Sequence, residues 1–187
     1  VNYSVENRDR TLDDAVATVA AEFGGRLLAA GVQLPGTTDG RVVLESVQLK
    51  WKDVPLAERF ERVLGAPVLL INDVDAEAIA EAGMEESPSG YRLFIHLGGG
   101  VGAAVTLDGE LAPGPRDRAG EIGDVQVVFG EAARACRCGQ RGCLESAAAL
   151  GAMLGEEFSD AMDASEIRAL AAQADEEQLD EGARALA

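Results

Sequence analysis

All three cysteines of this 187-residue chain lie within eight positions, in the run Cys-Arg-Cys-Gly-Gln-Arg-Gly-Cys at residues 136–143. Thiolates at this spacing can meet around one tetrahedral ion, and the two glycines let the loop turn tightly. An odd, local cluster favours a metal over a disulfide framework. The alternative is that Cys136, Cys138 and Cys143 are unrelated core side chains. We interpret the cluster as a structural zinc site that needs a fourth ligand, and the candidate among the oxygen donors before it is Asp124.

The pattern of apolar residues predicts an α/β fold, because strands alternate with helices along the chain. Pro55 and Gly65 bound one helix clearly, as a favoured first residue and a favoured stop. The apolar run at residues 68–71 is typical of a strand that is buried on both faces. The other predicted strands are residues 32–34, 42–49, 92–97 and 103–107. The other predicted helices are residues 11–30, 76–82, 144–150, 165–172 and 176–187.

The net charge of −17 excludes a strong grip on phosphate backbones, because acidic surfaces repel them. A DNA-binding module, if the whole protein has one, is therefore expected outside this chain. No apolar run approaches the length that spans a bilayer, and no signal peptide opens the sequence. We expect a cytoplasmic location and no membrane partner. The first residue is Val1 rather than Met, which suggests missing upstream sequence.

Asn72 and Asp73 follow the predicted strand at residues 68–71. Side chains at the carboxyl end of such a strand project toward the crevice where α/β proteins bind ligands. Asp73 is suited to take a proton from a hydroxyl, and Asn72 to donate and accept hydrogen bonds. The alternative is that one of the two caps the helix that follows.

Two further segments carry candidate ligand groups. The glycine run Gly98, Gly99, Gly100 and Gly102 lies between two strands and could cradle a phosphate through backbone N–H groups, although a glycine-rich hairpin explains it equally well. The loop at residues 119–124 carries Glu121 and Asp124, and Glu145 follows the last cysteine. Carboxylates of this kind suit polyol recognition, and the alternative is a solvated acidic loop. His96 is expected to lie in the core with its hydrogen bonds satisfied. Trp51 is expected to be a packing anchor.

Taken in order, these segments resemble the signature of the ROK family of repressors and sugar kinases. Residues 119–124, followed by the cysteine run and Glu145, are similar to the family's AGExGH…CxCGxxGCxE pattern. Asn72-Asp73 before an alanine-rich helix is similar to the ND-x-N-A-A-A segment, and residues 98–109 are similar to GTGxG…LDG. The resemblance covers about residues 22–150.

The resemblance implies an actin-like, ribonuclease H-like ATPase fold, incomplete at both ends, with a sugar in the cleft between lobes at residues 1–67 and 68–187. Asp73 would be the general base if the protein were a kinase. The zinc loop would fix Glu121 and Glu145 relative to each other. Family members commonly self-associate, so a homo-oligomer is expected. The residues expected to hold the sugar are Gly36, Asn72, Asp73, Glu121, Asp124 and Glu145.

The departures from the family pattern concern the metal and the phosphate. The family's zinc-binding histidine is Asp124 here, and the threonine of GTGxG is Gly99. The amino-terminal D-x-G-G-T loop and the carboxyl-terminal adenosine segment are absent from these residues, so ATP and magnesium are expected only if the protein is a kinase.

Three functions follow as hypotheses. The first is the sugar-sensing effector domain of a transcriptional regulator with an upstream winged-helix module. The second is a fragment of an ATP-dependent sugar kinase. The third is a divergent remnant that binds neither sugar nor ATP.

Overall fold

The computed structural model describes residues 8–112, 114–115, 118–155, 164–174 and 176–186. The chain divides into two compact units, Val1–Glu77 and Ala78–Ala187. Both contain strands and helices, so the predicted α/β class is confirmed. The strand after residue 67 belongs to the first unit, whereas the sequence placed it in the second lobe. The division into lobes stays a prediction about the whole protein.

The first unit contains two small sheets. Strands β1 (Ala30–Leu34) and β5 (Val68–Asn72) pair in parallel, with Leu34 opposite Asn72. The carboxyl ends of both strands therefore lie at one edge, which brings the turn after β1 close to the residues that follow β5. The other sheet is antiparallel and consists of β2 (Thr37–Thr38), β3 (Val43–Ser46) and β4 (Trp51–Val54).

Helix α2 (Leu56–Leu64) contributes most of one face to the core of this unit. It buries Leu56, Phe60 and Leu64, whose spacing puts them on one side of the helix. The helix ends at Gly65 in the left-handed conformation, as predicted. Trp51 is only 5% exposed in the same core, which agrees with its interpretation as a packing anchor. Further buried members of this core are Val16, Leu34, Val43, Leu49, Val68 and Leu70.

An ion pair joins α2 to the start of β5. Glu61 accepts two hydrogen bonds from the guanidinium of Arg41, at 2.6 and 2.7 Å, and a third from the N–H of Val68 at 3.0 Å. Arg41 also donates to the carbonyl oxygen of Val68. The pair therefore fixes the helix against the strand that leads to the candidate ligand residues.

The contribution of this ion pair to folding is expected to depend on pH. The guanidinium of Arg41, and then the N–H of Val68, lower the pKa of Glu61 from 4.5 to about 2. A carboxyl whose pKa is depressed by folding stabilises the fold above its ordinary pKa, and this contribution disappears as the pH falls through the folded-state value. The melting temperatures of the wild type and Glu61→Gln should therefore differ at neutral pH and converge as the pH approaches 2. A constant difference across this range would contradict the assignment.

The second unit has an antiparallel sheet at its start. Strand β6 (Tyr91–Leu97) pairs along its whole length with β7 (Val101–Leu107), which also pairs with β8 (Glu110–Leu111). The apolar core beside β7 is formed by Val101 with Leu144, Ala148 and Ala149. Helix α3 (Asp73–Ala82) precedes the sheet, and the helices after it are α4 (Leu144–Ala148), α5 (Leu150–Leu154), α6 (Ala164–Ala171) and α7 (Glu176–Leu186). None of the helices described has the length and apolar character needed to cross a membrane.

The first helix differs from its predicted bounds at both ends. Helix α1 is Arg8–Phe23, whereas the sequence predicted residues 11–30. Gly24 and Gly25 end it early. A Cβ atom at Gly24 would lie 2.5 Å from the carbonyl oxygen of Ala20, and Gly25 has a φ of +74°. The residues that follow are therefore free to enter β1.

The predicted strands and helices also differ elsewhere. The strand expected at residues 42–49 ends at Ser46, because the hydroxyl of Ser46 accepts the N–H of Leu49 and turns the chain into β4. Leu69 in β5 is 61% exposed, so the expectation of burial on both faces was wrong. The single helix expected at residues 144–150 is two helices, because Ala149 is extended, with a ψ of 149°.

Candidate functional site

The first group of candidate residues lies at the shared edge of β1 and β5. The amide nitrogen of Asn72 donates to the carbonyl oxygen of Gly36 at 3.0 Å. The amide oxygen of Asn72 accepts the N–H groups of Val74 and Asp75, at 2.9 and 3.1 Å. Asn72 thus caps α3, which was the alternative left open by the sequence, and it ties the turn after β1 to the strand end.

Gly36 occupies a position that no other residue fits. Its φ is +124°, and a Cβ atom there would lie 2.4 Å from the carbonyl oxygen of Glu45 and 2.8 Å from the Cβ of Ser46. The turn therefore packs directly against β3. The structure brings Gly36 and Asn72 together, and their role in one ligand site stays a prediction.

Asp73 is the first residue of α3 and is half-buried. Its carboxylate accepts a hydrogen bond from the N–H of Val74 at 3.0 Å. Among the residues that the structure describes, this is the only hydrogen bond of the carboxylate. A carboxylate has room for about four hydrogen bonds. Asp73 therefore retains capacity to accept a hydroxyl, which is what both sugar binding and proton removal require.

Asn72→Ala is expected to destabilise the chain by about 2 kcal/mol, because it removes a helix cap and the link to Gly36. Chemical denaturation of both proteins measures this. Asn72→Asp is the matched control, since it keeps the acceptor for the cap but loses the donor to Gly36, and it should recover part of the loss. Equal stability of the alanine variant and the wild type would contradict the described contacts.

The second group of candidate residues is the cysteine loop. The backbone closes a tight turn, in which Cys136 donates to Gln140 and Gly139 donates to Cys136, at 2.9 and 3.0 Å. Gly142 has a φ of +74°, and a Cβ atom there would lie 1.9 Å from the carbonyl oxygen of Val128. Gly139 has a φ of +93°, so the path of the loop favours glycine at both positions, as the sequence indicated.

The three sulfur atoms lie close enough to share one ion. All three Sγ atoms are within 4.8 Å of one another, and those of Cys138 and Cys143 are 3.6 Å apart. Zinc–sulfur bonds of about 2.3 Å in a tetrahedron place sulfur atoms roughly 3.8 Å apart. Burial, and then the neighbouring thiols, raise the pKa of Cys143 to about 12, so a metal that binds here must displace protons. The donor set fits zinc or another metal that prefers thiolates.

Among the described residues, the group that could hold one metal ion consists of the three cysteines and does not include Asp124. Asp124 lies at the end of a short 3-10 helix, Ile122–Asp124. Its charge still reaches the loop, because burial, and to a lesser extent Asp124, raise the pKa of Cys138. Its role as a fourth metal ligand or as a sugar contact stays a prediction.

Glu145 lies beside the cysteine loop and is bound by a loop residue. The guanidinium of Arg137 donates to both carboxylate oxygens of Glu145, from Nε at 2.6 Å and from Nη2 at 2.8 Å. The N–H of Val101 donates to the same carboxylate at 3.2 Å. The side chain of Glu145 is 16% exposed and that of Arg137 is 44% exposed. The carboxylate is therefore held from two directions.

The glycine run forms the turn between β6 and β7 and packs against this pair. The N–H of Gly98 donates to Gly100 at 2.9 Å, so the run is a tight hairpin turn. A Cβ atom at Gly100 would lie 2.4 Å from Nη2 of Arg137 and 2.6 Å from Oε2 of Glu145. His96 is half-buried beside Gly98 rather than in the core. Phosphate binding by Gly98, Gly99, Gly100 and Gly102 stays a prediction.

The acidic loop runs along β7. Gly120 and Ala103 bond through their backbones at 3.0 Å, and a Cβ atom at Gly120 would lie 1.8 Å from the carbonyl oxygen of Ala103. A Cβ atom at Gly123 would lie 3.6 Å from the Cβ of Glu145. Glu121, between these glycines, is exposed. The second unit thus brings the acidic loop, the glycine run, the cysteine loop and Glu145 into one region.

Sequence reasoning missed Arg137, which it treated as a spacer between two cysteines. The spacing of eight residues carried no signal for this contact, because an arginine at that distance binds both oxygens of a glutamate only if the loop between them folds back. The tight turn of the cysteine loop produces that fold. Whether the residues of the two units serve one ligand stays a prediction.

Comparisons with known proteins agree with these features. The model of the ROK family matches residues 2–187. A xylose repressor of Caldicellulosiruptor bescii is 31% identical over 131 residues, which are 68% of this chain and 32% of the repressor. A glucokinase of Halalkalibacterium halodurans is 33% identical over 125 residues, which are 65% of this chain and 38% of the kinase. The chain thus spans about a third of the length of these relatives.

A solved structure extends the likeness to the fold. The ROK family glucokinase from Streptomyces griseus, in complex with glucose and AMPPNP, has a TM-score of 0.67 and 26% identity, covering 96% of this chain and 65% of that chain. The predicted actin-like ATPase fold is thereby confirmed. The family match over nearly the whole sequence, together with the relatives, shows that this chain belongs to the ROK family.

Proposed function

We propose that this chain is the sugar-binding effector domain of a transcriptional regulator. The observation that carries the proposal is the strand end where Asn72 is bonded to Gly36 and Asp73 retains acceptor capacity. A polyol presents several hydroxyl groups that each need a hydrogen-bond partner, and carboxylates and backbone carbonyl oxygens accept from them. We assign Asp73 as an acceptor in the first unit, and Glu121 and Glu145 as acceptors in the second unit. The xylose repressor among the relatives supports a regulatory role.

The glycine run favours a regulator over a kinase. A ROK kinase is expected to hold phosphate with a threonine at the position of Gly99, and glycine has no hydroxyl to offer. The N–H groups of Gly98 and Val101 are already bonded within the protein, to Gly100 and Glu145. Phosphoryl transfer depends chiefly on positioning and charge stabilisation, so weak phosphate contacts favour sensing over catalysis.

DNA binding would reside in another part of the whole protein. The net charge of −17 disfavours phosphate contacts by this chain. A regulator built in this way responds to the sugar because the ligand binds one arrangement of the protein more tightly than another.

The cysteine loop is assigned as a zinc site with a structural role. Cys136, Cys138 and Cys143 supply three thiolates, and zinc bound there would hold the loop that carries Arg137. This role supports the site through Glu145, because Arg137 binds its carboxylate directly.

The second candidate is an ATP-dependent sugar kinase, which the position of Asp73 and the glucokinase relatives favour. In that reaction the sugar hydroxyl oxygen would attack the γ-phosphorus of ATP, and ADP would leave. The Asp73 carboxylate would take the proton from that hydroxyl.

Two measurements separate the candidates. The first is a thermal-shift screen of the zinc-loaded chain against hexoses, pentoses and their N-acetyl derivatives. A sugar at a hundred times its Kd stabilises the folded state by about 2.7 kcal/mol, so a true ligand raises the melting temperature measurably. The second is ADP release by the whole protein that contains this chain, in the presence of that sugar, ATP and magnesium. If the protein is a regulator, a sugar should raise the melting temperature and no ADP should be released. Sustained ADP release would establish the kinase. If no sugar raises the melting temperature, both candidates are rejected.

A further inference from the structure

The side chain of Arg137 connects the cysteine loop to a carboxylate on α4. Its backbone lies between Cys136 and Cys138, two of the three thiols that can share an ion. Its guanidinium makes a two-point contact with Glu145, which fixes the plane of the carboxylate as well as its position. When one ion binds the sulfur atoms on both sides of Arg137, the backbone from which this side chain extends is fixed.

The contact leaves Glu145 with little remaining capacity. Its two oxygens accept three hydrogen bonds, two from Arg137 and one from the N–H of Val101. Because a carboxylate offers about four acceptor directions, roughly one remains for a ligand hydroxyl. The direction of that remaining lone pair is set by where Arg137 holds the carboxylate.

The surroundings keep the pair in place. Gly100 leaves no room for a Cβ atom between the backbone and the ion pair, since such an atom would lie 2.4 Å from Nη2 of Arg137. Partners that orient and balance a metal's ligands commonly change metal affinity by about 10- to 100-fold.

We propose that Arg137 is a positioning residue that couples metal occupancy of the cysteine loop to the orientation of Glu145. Metal binding fixes Arg137, and Arg137 fixes the carboxylate of Glu145. Loss of Arg137 or of Glu145 therefore weakens metal binding. The consequence for a sugar rests on the proposed function above. The consequence for the metal does not, because the metal, the arginine and the glutamate belong to one unit.

The test is the rate of zinc release to a chromophoric chelator from the zinc-loaded chain and three variants. Arg137→Gln and Glu145→Gln, which leave every thiol in place, should each release zinc about tenfold faster than the wild type. The double variant should release it no faster than either single variant, because both changes break the same contact. Gln140→Ala, an exposed position in the same loop, and Glu131→Gln, an exposed carboxylate, are the controls and should match the wild type.

A further variant keeps both charges and disturbs only their contact. Gly100→Ala inserts a methyl group against the ion pair and should also speed zinc release. Circular dichroism of every variant confirms that it is folded before the rates are compared.

Three results would overturn the proposal. They are a wild-type chain that binds no zinc, a folded Arg137→Gln variant with the wild-type release rate, and a double variant whose acceleration is the product of the two single effects. If the release rates follow the expected pattern but no sugar binds the wild type, the proposed function fails and the coupling between Arg137 and the metal stands.

Discussion

Cys143→Ser is expected to abolish zinc binding, which in the wild type should amount to about one ion per chain. A serine hydroxyl is a far poorer ligand for zinc than a thiolate, and the other two thiols cannot complete a site alone. The residue has no solvent exposure, so the substitution also buries a hydroxyl group in place of sulfur. Leaving that group without a partner costs about 1–3 kcal/mol beyond the loss of the metal.

Metal analysis of the purified proteins, followed by thermal unfolding with and without added zinc, measures both effects. Cys143→Ala is the matched comparison, because it loses the ligand without burying a hydroxyl group and should be the more stable of the two. Gln140→Ala should retain the metal and respond to zinc like the wild type. A Cys143→Ser protein that keeps one zinc per chain would show that this residue is not a ligand.

Asp73→Ala is expected to weaken the binding of the sugar found in the thermal-shift screen roughly thirtyfold. The substitution leaves bound hydroxyl groups without an acceptor, and an unpaired polar group in a desolvated site costs about 2 kcal/mol. Helix α3 should survive, because its cap is the amide oxygen of Asn72. Calorimetric titration of both proteins with the same sugar gives the ratio of the two affinities.

Two further substitutions make this test specific. Glu81→Ala removes a carboxylate from the same helix at an exposed position and should leave the affinity unchanged. Asp73→Asn keeps the shape of the side chain and its ability to accept a hydrogen bond, so its affinity should fall less than that of the alanine variant. An unchanged affinity in Asp73→Ala would remove this residue from the ligand site.

Local sequence signals predicted the parts of the fold that are governed locally. The helix between Pro55 and Gly65 ends where expected because glycine adopts the left-handed conformation without strain. The strand before Asn72 is an apolar run that begins after Pro67 and ends at polar residues, and its identity as a strand is confirmed. The cysteine cluster was visible because its members are close in sequence as well as in space.

The features that depend on side-chain contacts were harder to predict from the sequence. The hydroxyl of Ser46 breaks what was predicted as one strand, and its acceptor role depends on where the chain turns. Gly24 and Gly25 end α1 seven residues before the predicted end, since a glycine pair ends a helix even where apolar residues continue. Arg137 was missed because its partner lies eight residues away, and nothing in that spacing alone shows that the loop folds back.

A sugar whose hydroxyl is accepted by Asp73 is the central expectation, and calorimetric titration of the zinc-loaded chain measures its binding most directly. The predicted result is the release or uptake of heat at a stoichiometry of about one sugar per chain for at least one member of the panel, with the affinity lowered in Asp73→Ala and unchanged in Glu81→Ala. The absence of heat with every sugar, or an affinity that Asp73→Ala leaves unchanged, would contradict it.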